Sequence, residues 1–395
     1  MSSVLLNSGA IFDITAARSV QSGSLAGASL SNGIDAYVAK DYEGAVKAFR
    51  RSIGQDPYSS NSLKAYDFMA QAYLQLDREI DAESTYKQAI RLSPNSDDLH
   101  LKLANLYYNQ KRYAEAEKEY SEAVRVNPSE QNIYSLGQLY LSTNRLSEAE
   151  AHFNRLLTMN SANYGALYSL GQIDIKQGKY DEAIAKFKQT IEIKKDFAFA
   201  YSDLGMAYAD IGQEEKAEEQ AQIVDSMDTG LASDLRNYIY QVNKPGIFFA
   251  TTLADPVLSN GPGTLVSSWD AALTAPNGAA DFTLTVYFDK PMDRASVESL
   301  ANWKIGRSNS AEQGGLYNWG LPIAHTEITL AALPRNVLYD ADNMSAKVMF
   351  TVNQNADATG SIDPSHIRFG FYGKDAYGNT MNTKKDEYLG LSIIV

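Results

Sequence analysis

Four side-chain amides recur at a fixed interval: Gln71, Asn105, Gln138 and Gln172 stand 33 or 34 residues apart. An amide carries both a donor and an acceptor. A ladder of them can pair with the backbone of an extended peptide whatever that peptide's side chains are. Four residues before two of these amides stand Tyr134 and Tyr168, which offer flat apolar area with a hydroxyl handle. A second constellation is Tyr317 and Trp319 in a glycine-rich stretch. Their rings could stack on sugar faces, against the plainer expectation that the loop folds back onto its own domain. Asp340, Asp342 and Asn343 are hard oxygen donors of the kind Ca²⁺ takes, but the spacing of a full cage is missing and a plain turn is expected. Asp289, Asp293 and Glu298 could pair as carboxylates, yet one reads as a corner residue and another as a helix cap.

Other chemistry is excluded by composition. Cysteine is absent and the four histidines (His100, His152, His325, His366) form no ligand motif. No nucleophile elbow, phosphate loop or zinc signature is present. Neither an enzyme nor a cofactor is expected. The net charge is −13 and neither half is basic, which argues against nucleic acid and against an anionic membrane surface. No apolar run approaches the roughly 18 residues of a membrane helix, so no membrane insertion is expected. Met1–Val20 lacks a basic start, and Asn7, Ser8, Gly9 and Asp13 interrupt its apolar residues, so it does not read as a secretory leader.

The amides belong to a wider repeat. Ala45, Ala82, Ala116, Ala149, Ala183 and Ala217 are spaced by 37, 34, 33, 34 and 34 residues. Four residues after the first five come Phe49, Tyr86, Tyr120, Phe153 and Phe187. Twelve residues before each stands a small residue: Gly33, Ala70, Ala104, Gly137, Gly171 and Gly205. Tyr73, Tyr107, Tyr140 and Tyr208 follow four of these by three residues, and Pro57, Pro94 and Pro128 close the first three units. Over roughly residues 26–231 this pattern resembles the tetratricopeptide repeat (TPR) family. Each unit is then two antiparallel helices, with a small residue where they cross and an aromatic filling the space beside it. One unit cannot bury its own apolar face, so units stack. Three extra residues near Tyr58–Ser62 imply a longer turn, and Ser233–Val242 reads as a closing helix with Ser233 as its N-cap.

The resemblance implies that the first helix of each unit lines a concave groove. One groove position then reads Ile34, Gln71, Asn105, Gln138, Gln172 and Met206. The position four residues earlier reads Leu30, Asp67, Leu101, Tyr134, Tyr168 and Ser202. Some members of the family clamp a terminal carboxylate with Lys and Arg in the groove. Neither position carries one here, so that specificity is not expected.

At Lys244-Pro245-Gly246 the helical periodicity stops and alternation of period two begins. Phe282–Phe288, Val348–Val352, Ile367–Phe371 and Leu389–Ile393 read as strands, with Ile247–Leu253, Thr264–Trp269 and His325–Leu330 as further candidates. Asp293–Leu300 reads as a helical turn with an acidic N-cap, and Gly306–Pro322 as a long inserted loop. Seven or eight short strands argue for a β-sandwich. Val286–Val297 and Lys374–Met381 make this half resemble the bacterial Ig-like domains of surface and S-layer proteins.

The expected protein is therefore multidomain α + β: an all-α TPR superhelix followed by an all-β Ig-like sandwich. Its parts are an N-terminal tail (1–25), a solenoid of six repeats plus a capping helix (26–243), and the sandwich (246–395). The tail resembles the start of flagellin-like proteins that leave the cell unprocessed. It is expected to be disordered unless Val4–Leu6 and Ile11–Ile14 dock. The expected function is a non-enzymatic scaffold whose groove binds a peptide or partner subunit in an exported or cell-surface assembly, with the cytoplasm as the alternative location. The alternatives are a subunit that assembles with copies of itself into a filament or layer, its tail entering the next copy, and a carbohydrate-binding accessory protein.

Overall fold

The computed structural model describes residues 8–252, 261–308 and 315–391, and divides into two compact units between Leu204 and Gly205. Among the described residues thirteen helices precede the β region. They are α1 (Ser8–Val38), α2 (Tyr42–Gln55), α3 (Ser60–Gln75), α4 (Glu79–Leu92), α5 (Asp97–Asn109), α6 (Tyr113–Val126) and α7 (Glu130–Ser142). They continue as α8 (Leu146–Met159), α9 (Tyr164–Lys176), α10 (Tyr180–Ile193), α11 (Ala198–Asp210), α12 (Glu214–Asp225) and α13 (Thr229–Val242). The pairs α1–α2, α3–α4, α5–α6, α7–α8 and α9–α10 form helical hairpins, as the 34-residue period requires.

The small residues are where backbone meets ring. A Cβ on Gly33 would lie 2.4 Å from the Phe49 ring, and one on Gly171 would lie 2.6 Å from that of Phe187. All six repeat alanines, Ala45 to Ala217, are fully buried. The sixth unit has Ala221 in place of the aromatic, and Leu235 of α13 fills the space instead, 2.7 Å from where a Cβ on Gly205 would be. The turn inside each hairpin also repeats. Lys40, Asp77, Lys111, Asn144, Gly178 and Gly212 all have left-handed φ, between 56° and 73°, which ends the first helix and reverses the chain.

Three expectations change. The segment read as a tail is helical from Ser8 onward, because its alanines and serines extend the helix at little cost from a packed end. There Ala26 is buried and its carbonyl accepts from Ser52 Oγ. Of the docking segments, Val4–Leu6 lies outside the described residues and Ile11–Ile14 is helical. The extra residues near Tyr58–Ser62 do not lengthen a turn. They lengthen α3, which has 16 residues where α5 has 13. The closing helix starts at Thr229, and its cap is Asp228, whose carboxylate accepts from Leu231 N.

The β region holds β1 (Ile247–Thr252), β2 (Thr264–Leu265), β3 (Ala279–Phe288), β4 (Trp303–Arg307), β5 (Asn336–Asp340), β6 (Ser345–Asn353), β7 (Ser361–Ile362), β8 (Ile367–Phe371) and β9 (Glu387–Leu389). All named pairings are antiparallel, in sheets ordered β1-β3-β6-β5, β4-β8-β9 and β2-β7. The two larger sheets share one core, where Phe350 meets Phe369 at 5.4 Å and Phe288 meets Phe371 at 5.3 Å between ring centres. Alternation found β3, β6 and β8, and the further candidate Ile247–Leu253 is β1. It missed β4 and β5; in β5 the exposed Leu338 stands between the buried Val337 and Tyr339, which hides the alternation. Thr264–Trp269 is a two-residue strand followed by a tight turn, and His325–Leu330 is not a strand. The acidic cap is as expected: Asp293 accepts from Ser296 N ahead of α14 (Arg294–Glu298).

Candidate peptide-binding groove

The first helices of successive repeats, α3, α5, α7, α9 and α11, carry the expected groove row. Gln71 and Asn105 come together. With Leu74, Tyr86, Lys102 and Leu106 they line a cavity of about 420 Å³ between α3, α4 and α5. Gln71 Nε2 donates to Asp67 Oδ1 at 3.0 Å, and Asn105 Oδ1 accepts from the Tyr120 hydroxyl at 2.6 Å. Asn105 is exposed, and that bond uses only its oxygen, leaving the two donors of its NH₂ group.

Farther along, the amides tie neighbouring repeats together. Gln138 Nε2 donates to Ser169 Oγ of the next unit at 2.7 Å. Gln172 Nε2 donates to the Tyr168 hydroxyl at 3.0 Å and to Asp203 Oδ2 at 3.2 Å. Tyr134 packs on Phe153 at 5.7 Å and over Gly165, where a Cβ would lie 3.2 Å from its ring. Tyr168 packs on Phe187 at 5.8 Å and on Phe197 at 4.9 Å. The row is thus not a set of free amides. Each is held by an intramolecular hydrogen bond, with part of its donor or acceptor capacity left over.

Two groove residues escaped the sequence reading, Lys102 and Asp203. They lie three residues before the amide row, and residues i and i+3 share a helical face. Reading that position as Phe68, Lys102, Ser135, Ser169, Asp203 would have found both. The groove therefore does hold a cation, but it is neutralised from within: Lys102 Nζ lies 2.7 Å from Asp67 and 2.9 Å from Asp98. Among the described residues Asp203 receives hydrogen bonds from the neutral Tyr168 and Gln172, and burial pushes its carboxyl above the usual range.

The sugar-contact pair is split. Trp319 is 69% exposed, but Tyr317 is buried. The Tyr317 hydroxyl bonds the Glu327 carboxylate and accepts from Asp363 N at 2.9 Å, so its ring is part of the core and not a stacking platform. Burial and the neighbouring Glu327 push that hydroxyl's pKa up. Asp340 closes the β5–β6 hairpin, accepting from Asn343 Nδ2 at 2.7 Å and from Asp342 N at 3.1 Å. Among the described residues, Asp363, Ser365 and His366 do come together. Both Asp363 Oδ2 (2.7 Å) and Ser365 Oγ (2.9 Å) face the same ring nitrogen, Nδ1. A proton relay needs them on opposite nitrogens, so this cluster is a structural cap.

Family models described as tetratricopeptide repeat match residues 63–96, 80–138 and 131–163, and one described as TPR repeat matches 171–212. The chain carries tetratricopeptide repeats. Among solved structures, the TPR protein YrrB, titled as having an unusual peptide-binding site, is 22% identical. It covers 49% of this chain and 100% of its own, with a TM-score of 0.39. PilF of Pseudomonas aeruginosa is 16% identical, covering 55% of this chain and 99% of its own at a TM-score of 0.45. PilW, titled a type IV pilus biogenesis factor, is 17% identical, with 54% and 97% covered at 0.45. No curated protein matches the chain. Among the described residues no helix is long and apolar enough to cross a membrane.

Proposed function

We propose that this chain is a non-enzymatic protein-interaction scaffold whose TPR groove binds an extended segment of a partner protein. One observation carries the reading: Gln71 and Asn105 converge on a single cavity with polar capacity left over. Hydrogen bonds to Asp67 and Tyr120 hold both side chains in place, which lowers the ordering cost of binding. The β region is read as an Ig-like spacer or second contact surface, and an exported or cell-surface setting goes with that resemblance.

The test is peptide capture by the intact protein, with affinity measured by fluorescence polarisation. Gln71→Ala combined with Asn105→Asp removes donors while keeping an acceptor for Tyr120. The expected result is about a tenfold weaker affinity at unchanged helicity, the loss of roughly one good hydrogen bond. Unchanged affinity would sink the reading.

Self-assembly would send residues 1–25 into the groove or onto a sheet edge of the next copy. Residues 8–25 are helical, which counts against their entering either as an extended strand. A sugar-binding role rests on Trp319 alone.

A further inference from the structure

Resting on that groove reading, we infer that the α9–α11 end of the groove anchors a basic side chain, Lys or Arg, of the bound segment against Asp203 and an aromatic wall formed by Tyr168, Phe197 and Phe199.

Three observations converge. The first is charge. Asp67 and Asp98 at one end of the groove share Lys102, whereas the partners of Asp203 among the described residues are the neutral donors Tyr168 and Gln172. Lys194, just before α11, does not serve it: Lys194 pairs with Asp196 at 3.1 Å and lies over the Tyr164 ring. A half-buried carboxylate without a cation costs free energy that a partner's cation would recover.

The second is a broken local rule. The residue before α5, α7 and α9 is Ser96, Ser129 and Asn163, and each caps its helix. The same place before α11 holds Phe197. Its ring stacks edge-on against Tyr168 at 4.9 Å and lies 6.1 Å from Phe199. A good capping position is given over to an aromatic, and such departures concentrate at functional sites.

The third is placement. Tyr168 and Gln172 are four residues apart on α9, and Phe199 and Asp203 are four apart on α11, so each pair shares a helical face. Phe199 is 56% exposed. Ring faces beside a carboxylate suit an ammonium or guanidinium through cation–π attraction and a charge-assisted hydrogen bond. The neighbouring groove positions Tyr134, Ser135, Gln138 and Ser169 are uncharged, so they would read backbone while Asp203 reads charge.

The probe is a set of blocked, fluorescent peptides with one fixed central residue, Lys, Arg, Gln or norleucine, and all other positions drawn from Gly, Ser, Ala and Leu. The full-length protein is expected to bind the Lys or Arg set about tenfold tighter than the Gln and norleucine sets. Asp203→Asn is expected to abolish that difference and to raise thermal stability at pH 7, since an amide costs less to half-bury than a carboxylate. Equal affinity for basic and neutral sets, or a preference that survives Asp203→Asn, overturns the anchor while leaving the groove reading standing. If no set binds, both fall.

Discussion

Lys290 and Asp375 form a buried ion pair with 2.9 Å between Nζ and Oδ2, and their side chains are 4% and 0% exposed. Lys290 also donates to the carbonyl of Asn243, just past α13, at 2.6 Å, and its ammonium lies within 5.3 Å of the centres of both the Tyr240 and Tyr377 rings. Asn379 adds a bond to the Gln241 carbonyl at 2.6 Å. The closing helix and the β sheets are thus joined by polar contacts centred on a buried ion pair. Removing one partner strands the other charge, so Lys290→Met is expected to cost about 3–5 kcal/mol. The double variant Lys290→Met with Asp375→Leu should recover most of this. Urea unfolding followed by tryptophan fluorescence reads the β region, which holds all three tryptophans. A single variant as stable as the parent would show that the pair is not the clasp.

The helix crossings predict an asymmetry. Gly33, Gly137 and Gly171 face Phe49, Phe153 and Phe187 with no room for a methyl group. Gly171→Ala should therefore destabilise the array by about 1–3 kcal/mol through overpacking, despite alanine's better helix propensity. Denaturation followed by circular dichroism at 222 nm decides it. A neutral or stabilising result would mean that Phe187 can move aside.

Glu83 sets a pH window. The Arg112 guanidinium, with help from Lys87 and Tyr107, holds its carboxyl down at about 2. A depressed acid stabilises the fold above its unfolded value, near 4.5, and that contribution disappears as pH falls through the folded value. Glu83→Gln should be less stable than the parent at pH 7 by a constant margin. The margin should shrink between about pH 4.5 and about pH 2. Parallel melting curves across that range would refute the assignment.

Tyr317 and Trp319 should separate cleanly. Tyr317→Phe removes a hydroxyl that bridges Glu327 and the backbone of Asp363, at a cost of about 1–3 kcal/mol. Trp319→Ala removes an exposed ring and should leave stability within about 0.5 kcal/mol. If Trp319→Ala also leaves affinity for polysaccharides unchanged in gel retardation, no role in sugar binding remains for this loop.

Period and composition alone determined the repeat array, its small-residue crossings and the change to alternating strands after Lys244. These are set by contacts between near neighbours in sequence, where helical and strand geometry impose a readable spacing. The missing aromatic of the sixth unit was legible as Ala221, but its replacement by Leu235 was not, because α13 reaches it from outside the repeat. The amide row was legible for the same reason as the repeats. What those amides bond was not, since Ser169, Asp203 and Tyr120 are partners brought in by packing between helices. Lys102 and Asp203 were one register position from notice. Only the tertiary structure decided that the first cation is neutralised and the second charge is not. Charge balance depends on which side chains converge in space, and burial sets what an unmatched charge costs.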